Sequence, residues 1–316
     1  MRLLLSVGLL AVVGIAAAQS GAQMKIVIAF PPGGPVDFVA RIVAEGLGKE
    51  LGQPVLVDNR PGGNGAISAQ AVAKAAPDGN TLWLSSAGAA AMNPSLYDAL
   101  TYDVQRDFAP VSVVVNNVEV LVVNPSNPAA SVSELVAQSK RNPAPVPIAS
   151  SGIGSMPHLA MELLADSSGA NLMHVPYKGA APAITDVMGG QVGGFFGDIP
   201  GLIGFIKGGK LKPLGIAAPA RHPLLPDVRT LDEQGIRGVE SNNWYALFAP
   251  AKTPPARIAE INAALRRVLT ADPYRKRLLD SGAEPTPTSP EQLDALVKSD
   301  TAKWGKIIRD KKIKGE

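Results

Sequence analysis

Two short loops rich in glycine and serine carry the residue types best suited to binding chemistry. Each loop follows an apolar, strand-like run and precedes a helix-like pattern, so free backbone N–H groups and the positive end of a helix dipole would lie at a sheet edge. Serine hydroxyls add donors without adding charge. This repeated arrangement predicts a cleft for a ligand with an anionic group. The residues concerned are Pro32, Gly33, Gly34 and Asp37 at the first loop, and Ser150, Ser151, Ser155 and His158 at the second.

Structural explanations compete with each of these assignments. Gly33 and Gly34 also permit a tight turn without any ligand. Asp37 lies where a helix dipole favours a carboxylate, whether or not it touches a ligand. His158, early in a helix, would hydrogen-bond either an anion or a loop group. The repetition of the loop, more than any single residue, favours the binding interpretation.

The composition excludes several other kinds of protein. The chain has 316 residues, no cysteine, three histidines and a formal net charge of +3 spread along its length. We therefore expect no disulfide, no metal site, no cofactor and no nucleic-acid partner. The sequence contains no nucleophile elbow, dinucleotide fingerprint or P-loop. A secreted hydrolase using Ser151 or Ser155 with His158 remains an alternative, although that spacing rarely gives attack geometry.

Strand-like and helix-like segments alternate along the chain. The apolar runs at 25–30, 54–58 and 81–86 are separated by helical periodicity at 36–51 and 66–75. This βαβαβ order predicts an α/β fold with doubly wound, mainly parallel sheets. A second set begins near residue 121, with strands expected at 147–150, 171–175, 192–196 and 212–217.

Sequence signals also mark helix starts. Ser131 and Glu134 have the spacing of a capping box. Thr253 and Ser289 each precede a proline, which predicts helices at 254–270 and 290–309. The second of these places Trp304 on its apolar stripe, so we expect Trp304 in the core.

Two segments are expected to cross between lobes, one at 111–123, read as two runs interrupted by two asparagines, and one at 243–249. Because about 300 residues exceed what one core usually serves, we expect two lobes joined by a hinge. The predicted division is lobe 1 at 24–117 plus 246–316, and lobe 2 at 118–245.

The first residues have the pattern of a secretory signal. One arginine precedes a short apolar stretch that ends in three alanines, so residues 1–18 are predicted to be a cleaved signal peptide. We therefore expect a periplasmic protein, and nothing in the sequence requires more than a monomer.

An ordered set of motifs resembles the substrate-binding proteins of tripartite tricarboxylate transporters, the Bug family. The set covers the chain from residue 25 to about 308. The motifs are FPPGG at 30–34 with Asp37, NRPG at 59–62, APDG at 76–79, SSG at 150–152, HVPYKG at 174–179, GGQV at 189–192, LPDV at 225–228 and LFAP at 247–250.

This resemblance implies two α/β lobes that close on an organic acid, with backbone amides and trapped water holding one carboxylate. It implies further cleft residues at Asn64, Ser86, Ala87 and Asp198, while Tyr177 is a possible addition from the HVPYKG loop. Asp198 would serve equally well as a helix cap. Pro35 and Val36 depart from the Ser-Thr pair common in the family, which removes two hydroxyls from the expected site.

Together these patterns predict a non-catalytic, periplasmic solute-binding protein that captures a small carboxylate and delivers it to membrane transporter subunits. A ligand-sensing protein that signals through a membrane kinase would share this fold and this site. The sequence alone does not separate the two roles.

Overall fold

The computed structural model describes residues 23–315. The predicted signal peptide at 1–18 lies outside this range. Among residues 23–315, no helix combines the length and the apolar character needed to cross a membrane.

Ten strands and eleven helices make up the described part of the chain. The strands are β1 (Met24–Ile28), β2 (Val55–Asn59), β3 (Thr81–Ser86), β4 (Phe108–Val123), β5 (Val146–Ser150), β6 (Leu172–Pro176), β7 (Gly194–Asp198), β8 (Lys212–Ile216), β9 (Asn242–Pro250) and β10 (Glu284–Pro285). The helices are α1 (Pro35–Leu51), α2 (Ala66–Ala73), α3 (Asn93–Leu96), α4 (Val104–Asp107), α5 (Val132–Arg141), α6 (Met156–Ser168), α7 (Ala180–Met188), α8 (Ile199–Lys207), α9 (Pro255–Thr270), α10 (Tyr274–Ser281) and α11 (Pro290–Asp310). Short 3-10 turns lie at Gly63–Gly65 and Asp232–Gln234, and a π-helical turn lies at Gly88–Met92.

The strands form two mixed sheets that share β4. The order is β2-β1-β3-β9-β4-β7-β5-β6, with β10 and β8 also paired to β4. At the outer side of each sheet the strands are parallel: β2, β1 and β3 in the first sheet, and β6, β5 and β7 in the second. The pairs with β4, and the β3–β9 pair, are antiparallel. The predicted α/β class is confirmed, with an antiparallel centre that the pattern of short runs did not predict.

β4 is continuous through the two asparagines that we expected to interrupt it. Its first part pairs with β9 as far as Val118. From Glu119 onwards it lies between β7 and β8 and pairs with both strands. Asn117 pairs with Asn243, so an asparagine side chain occupies a regular strand position here. A single strand of 16 residues therefore passes from one sheet to the other.

Helices cover both faces of each sheet. In the first sheet α1, α9 and α10 pack on one face, while α2, α3 and α11 pack on the other. Trp83 lies at the centre of the second of these layers, with ring centroids 4.8 Å from Phe108 and 5.6 Å from Phe248. Trp304 is only 2% exposed in the same layer, which confirms its predicted core position.

Helix starts follow the sequence signals in two cases out of three. Ser131 accepts from the Glu134 amide, and Ser289 forms a complete capping box with Gln292. The helix expected to start at Pro254 starts one residue later, with Pro254 itself at the N-cap and no side-chain cap. Thr253 is therefore not the residue directly before the helix, and the helix start predicted at 254 was wrong by one residue. A second consecutive proline supplies the fixed φ angle that a first helical turn needs.

Two helical glycines give a matched test of this packing. A Cβ at Gly46 in α1 would lie 2.4 Å from Val268 Cγ1, whereas a Cβ at Gly204 in α8 would meet no heavy atom within 4 Å. We expect Gly46→Ala to destabilise the fold by about 1–3 kcal/mol through overpacking. Gly204→Ala should stabilise it by about 0.5–1 kcal/mol, because alanine loses less backbone entropy. Urea unfolding of both variants measures whether each substitution lowers or raises the free energy of unfolding. Equal changes in the two variants would contradict the α1–α9 packing.

Candidate functional site

A cleft of about 460 Å³, partly open to solvent, lies at the carboxyl ends of the parallel strands. Ligands of α/β proteins usually bind at this edge of the sheet. Its walls mix apolar and polar groups from both sheets. The lining residues are Phe30, Pro31, Gly34, Pro35, Val36, Ser86, Ser151, Ser155, Met156, Pro157, Lys178, Gly179, Ala180, Ala181, Asp198, Asn243 and Tyr245.

Four helices point their N-termini into this cleft. The N-cap residues of α1, α6, α7 and α8 are Gly34, Ser155, Gly179 and Asp198, and all four line the cleft. None of them caps its helix with a side-chain hydrogen bond. The first-turn N–H groups of a helix have no intrahelical acceptor, and the helix dipole is positive at this end. The cleft therefore offers an anionic group the backbone N–H groups of these helix starts, with Lys178 as a cationic side chain in the same lining.

Asp37 shapes the first loop instead of lining the cleft. Its buried carboxylate accepts from the Gly33 amide at 3.1 Å, from Arg41 at 2.9 Å and from Asn59 at 3.0 Å. Burial by itself would raise the pKa of the Asp37 carboxyl, but these hydrogen bonds lower it below its usual range. Pro32 and Gly33 are exposed beside it, outside the cleft lining. The charge of Asp37 is thus committed to holding the loop that presents Gly34.

The second loop is held from below by a pair of stacked histidines. The rings of His158 and His174 lie 3.6 Å apart, and His158 Nδ1 accepts from the Gly154 amide at 3.1 Å. His174 Nε2 shares a hydrogen bond of 2.6 Å with Ser150 Oγ, which is fully buried. His158 and Ser150 therefore support the loop, whereas Ser151 and Ser155 face the cleft.

Burial and the neighbouring His158 lower the pKa of His174 to about 4. Because a charged ring is disfavoured there, the folded protein binds this proton more weakly than the unfolded chain does. His174 is consequently neutral at ordinary pH, which suits a structural role.

The floor of the cleft is acidic. Asp198 accepts from Asn243 Nδ2 at 3.0 and 3.1 Å and from the Tyr245 hydroxyl. Burial raises the pKa of the Asp198 carboxyl to about 7, against the lowering effect of these donors. Glu119 lies opposite Asp198 in the β4–β7 register and does not line the cleft. Burial, followed by the charge of Asp198, raises the pKa of Glu119 well above its usual range.

The four remaining predicted residues lie in different places. Ser86 lines the cleft, and Ala87 is fully buried at the start of the π-helical turn. Asn64 reaches across the cleft, where its side-chain amide donates to the Gly154 carbonyl at 2.8 Å. The Tyr177 hydroxyl donates to Asp186 at 2.6 Å and does not line the cleft. Loops from the two sheets are thus in direct contact through Asn64.

Sequence reasoning missed several residues of the lining, notably Gly179 and Asn243. A signal for Gly179 existed, since it directly precedes the helical pattern of α7 in the same way that Gly34 precedes α1. Asn243 gave no comparable signal, because its place in the site depends on its pairing with β4. Within residues 23–315, no group of three or more histidines and acidic residues is arranged to hold a metal ion.

The family model described as "Tripartite tricarboxylate transporter family receptor" matches residues 39–313. The chain belongs to this family. Its relatives include Protein BugT of Bordetella pertussis (strain Tohama I), which is 35% identical over 316 residues that cover 98% of this chain and 97% of that protein. The family consists of periplasmic solute-binding receptors and not of enzymes, so the hydrolase alternative was wrong. The Ser150–His174 contact fits this, since Ser150 is fully buried and does not line the cleft.

Solved structures of periplasmic binding proteins share this fold. The periplasmic binding protein BugD is 32% identical and superposes with a TM-score of 0.88, covering 93% of this receptor and 99% of that chain. Rpa4515 of R. palustris, solved with adipate, is 32% identical with a TM-score of 0.89, over 92% of this receptor and 97% of that chain. MatC of Rhodopseudomonas palustris, solved with malate, is 32% identical with a TM-score of 0.86, over 91% of this receptor and 99% of that chain.

The stacked histidines generate a prediction on acid stability. A histidine whose pKa is lowered in the folded state contributes fully to the free energy of unfolding above its unfolded pKa of about 6.5. That contribution is lost as the pH falls towards the folded pKa. We expect the stability of the wild type relative to His174→Gln to fall on the order of 1 kcal/mol between pH 7 and pH 5, after allowance for partial exposure. Urea unfolding of both proteins at the two pH values measures this difference. Parallel pH profiles would contradict a neutral, desolvated His174.

Proposed function

We propose that the protein captures a small organic acid in this cleft, in the periplasm, and delivers it to the membrane subunits of a tripartite tricarboxylate transporter. The observation that carries the proposal is the convergence of four helix N-termini without side-chain caps on one cleft. A carboxylate supplies the acceptor oxygens and the charge that such N-termini favour.

The ligands of related receptors support a carboxylate. Rpa4515 was solved with adipate and MatC with malate, and both ligands are dicarboxylates. We propose the same class of ligand here, with the carboxylate near the N-termini of α1, α6 and α7.

The residues proposed to contact or enclose the ligand are Pro32, Gly33, Gly34, Asp37, Asn64, Ser86, Ala87, Ser150, Ser151, Ser155, His158, Tyr177 and Asp198. Those that line the cleft are the candidates for direct contact, and the others are proposed to hold the loops. Pro35 and Val36 present no hydroxyl and Pro35 presents no N–H group, so this part of the wall is apolar. The apolar wall favours a ligand with a hydrocarbon portion between its polar ends.

Binding is proposed to involve closure of two lobes, at 24–117 plus 246–316 and at 118–245, about the shared strand β4. The Asn64–Gly154 hydrogen bond and the ion pair between Lys311 and Asp166 join elements on opposite sides of the cleft. A ligand that contacts both sides would shift the population towards the closed form by its differential affinity. The closed form, as a monomer after removal of residues 1–18, is proposed to be what the membrane subunits recognise.

An added negative charge in the cleft tests this proposal. A carboxylate at Ser151 would lie beside the bound anion, so Ser151→Asp should weaken binding of an organic acid by about tenfold or more. Ser299→Asp places the same charge on the exposed face of α11, outside the cleft, and should leave binding unchanged. The readout is thermal shift of ligand-stripped protein against mono-, di- and tricarboxylates, acidic amino acids and aromatic acids.

Three outcomes are informative. A shift with one acid that is lost in Ser151→Asp supports the proposal. No shift with any acid, for protein with a normal unfolding transition, overturns it. An equal loss in Ser151→Asp and Ser299→Asp would contradict the assignment of the cleft.

A further inference from the structure

The floor of the cleft contains more buried hydrogen-bond acceptors than donors. Asn117 and Glu119 are two residues apart on β4, so their side chains share one face of the sheet. The register places Asn243 opposite Asn117 and Asp198 opposite Glu119, which brings all four side chains to that face. Tyr245 follows two residues after Asn243 on the same face. These five side chains form one polar cluster at the junction of the two sheets.

The donors of this cluster are already in use. Asn243 Nδ2 and the Tyr245 hydroxyl donate to Asp198. Asn117 Nδ2 donates to the backbone carbonyl oxygen of Asn243 at 3.0 Å. Ser241 Oγ donates to Glu119 Oε2 at 2.9 Å. Three buried side-chain oxygens of this cluster have no hydrogen-bond partner among the described residues. They are Asn117 Oδ1, Glu119 Oε1 and Asn243 Oδ1.

No basic side chain balances the two acids. The influences on the Glu119 and Asp198 carboxyls come from burial, from each other and from neutral donors among the described residues. The N-terminus of α8 starts at Asp198 and favours negative charge there. Glu119 is fully buried with one oxygen unpartnered, so it is the carboxyl that keeps a proton. Asp198 therefore presents acceptor capacity to the cleft that it lines, whereas Asn243 Oδ1 is itself buried.

We infer that this floor is a subsite for a hydrogen-bond donor, so that the preferred ligand is a carboxylic acid with an N–H or O–H substituent beside its hydrocarbon chain. The inference rests on the proposed function, since it assumes a carboxylate at the N-termini of α1, α6 and α7. The substituent donates to Asp198, which lines the cleft. A plain CH₂ group at the same place would remove water from this acceptor without replacing its hydrogen bonds.

The size of the effect follows from the chemistry of unpaired acceptors. An acceptor that is buried without a donor weakens binding by about tenfold or more. The preference applies to the substituent alone, because the carboxylate end is the same in substituted and unsubstituted acids. An ammonium group would gain additionally from the charge on Asp198, whereas a hydroxyl group would gain only the hydrogen bond.

The experiment compares matched acids by isothermal titration calorimetry on ligand-stripped protein. The probes are succinate, malate and aspartate; glutarate, 2-hydroxyglutarate and glutamate; and 3-phenylpropanoate, phenyllactate and phenylalanine. We expect, within the series that binds, a hydroxy or amino acid to bind about tenfold or more tightly than the unsubstituted acid. Tighter binding of the amino acid identifies an ammonium donor, and tighter binding of the hydroxy acid identifies a hydroxyl donor.

Failure of the inference is distinct from failure of the proposed function. If an unsubstituted acid binds as tightly as its substituted partners, the donor subsite is overturned and the receptor function stands. If no organic acid binds, either in these series or in the wider panel of carboxylates, the proposed function is overturned and the inference with it. These comparisons use the wild-type protein and do not depend on the folding of a variant.

Substitution of the floor carboxyl assigns the preference to a residue. Asp198→Asn retains the size of the side chain and removes its charge, so the ratio of affinities between substituted and unsubstituted acid should fall towards one. Asp186→Asn removes a carboxyl that bonds Tyr177 outside the cleft lining and should leave that ratio unchanged. A ratio that survives Asp198→Asn would overturn the role of Asp198, whereas a structural defect would weaken both acids equally.

Discussion

Strand β4 exchanges hydrogen bonds with both sheets, and the positions of the cleft residues depend on that shared register. Glu119 lies opposite Asp198 and Asn117 lies opposite Asn243 along the same strand. Because side chains alternate between faces, a slip of one residue would turn these polar groups away and bring aliphatic residues to the floor. The element that joins the two sheets is therefore also the element that composes the floor of the cleft. Any movement of one sheet relative to the other would act on this polar cluster, because the cluster lies where both sheets pair with β4.

Polar side chains around the cleft mostly hold its loops, which leaves the backbone N–H groups for the ligand. Asp37 ties down the first loop through Gly33 and Asn59, and the stacked histidines tie down the second through Gly154 and Ser150. Rigid loops keep the N–H groups oriented before the ligand arrives, so less freedom is lost on binding. Recognition of the anion is then common to any carboxylate. Discrimination between carboxylates is left to the walls and the floor.

Local signals in the sequence predicted many of the strands and helices, whereas the assignment of the ligand-binding residues stays a prediction. Apolar periodicity predicted α1 and the parallel strands, and Ser289 marked the start of α11 through a cap that depends on neighbouring residues alone. The Gly-rich loops were predicted at the carboxyl edge because a strand precedes each and a helix follows. The start of α9 was misplaced because Pro254 and Pro255 both suit a first turn. The roles of Asp37 and His158 depended on Asn59 and His174, which come from other elements. Pairings of that kind arise from the sheet register, which a single sequence does not encode locally.

The cleft combines an attractive end and a repulsive end for the same charge. Helix N-termini favour a carboxylate, while a charged Asp198 on the floor disfavours one, because Asp198 has no basic hydrogen-bond partner among the described residues. Charge placed in this way selects an orientation as well as a ligand, since specificity is a difference between favourable and unfavourable arrangements. N-termini alone would accept a small acid either way round. The α8 N-terminus lies against the floor itself, so it stabilises Asp198 instead of the ligand and sharpens this asymmetry. An acidic floor is thus consistent with the proposed capture of an organic acid, because its charge would favour one orientation of the ligand over the other.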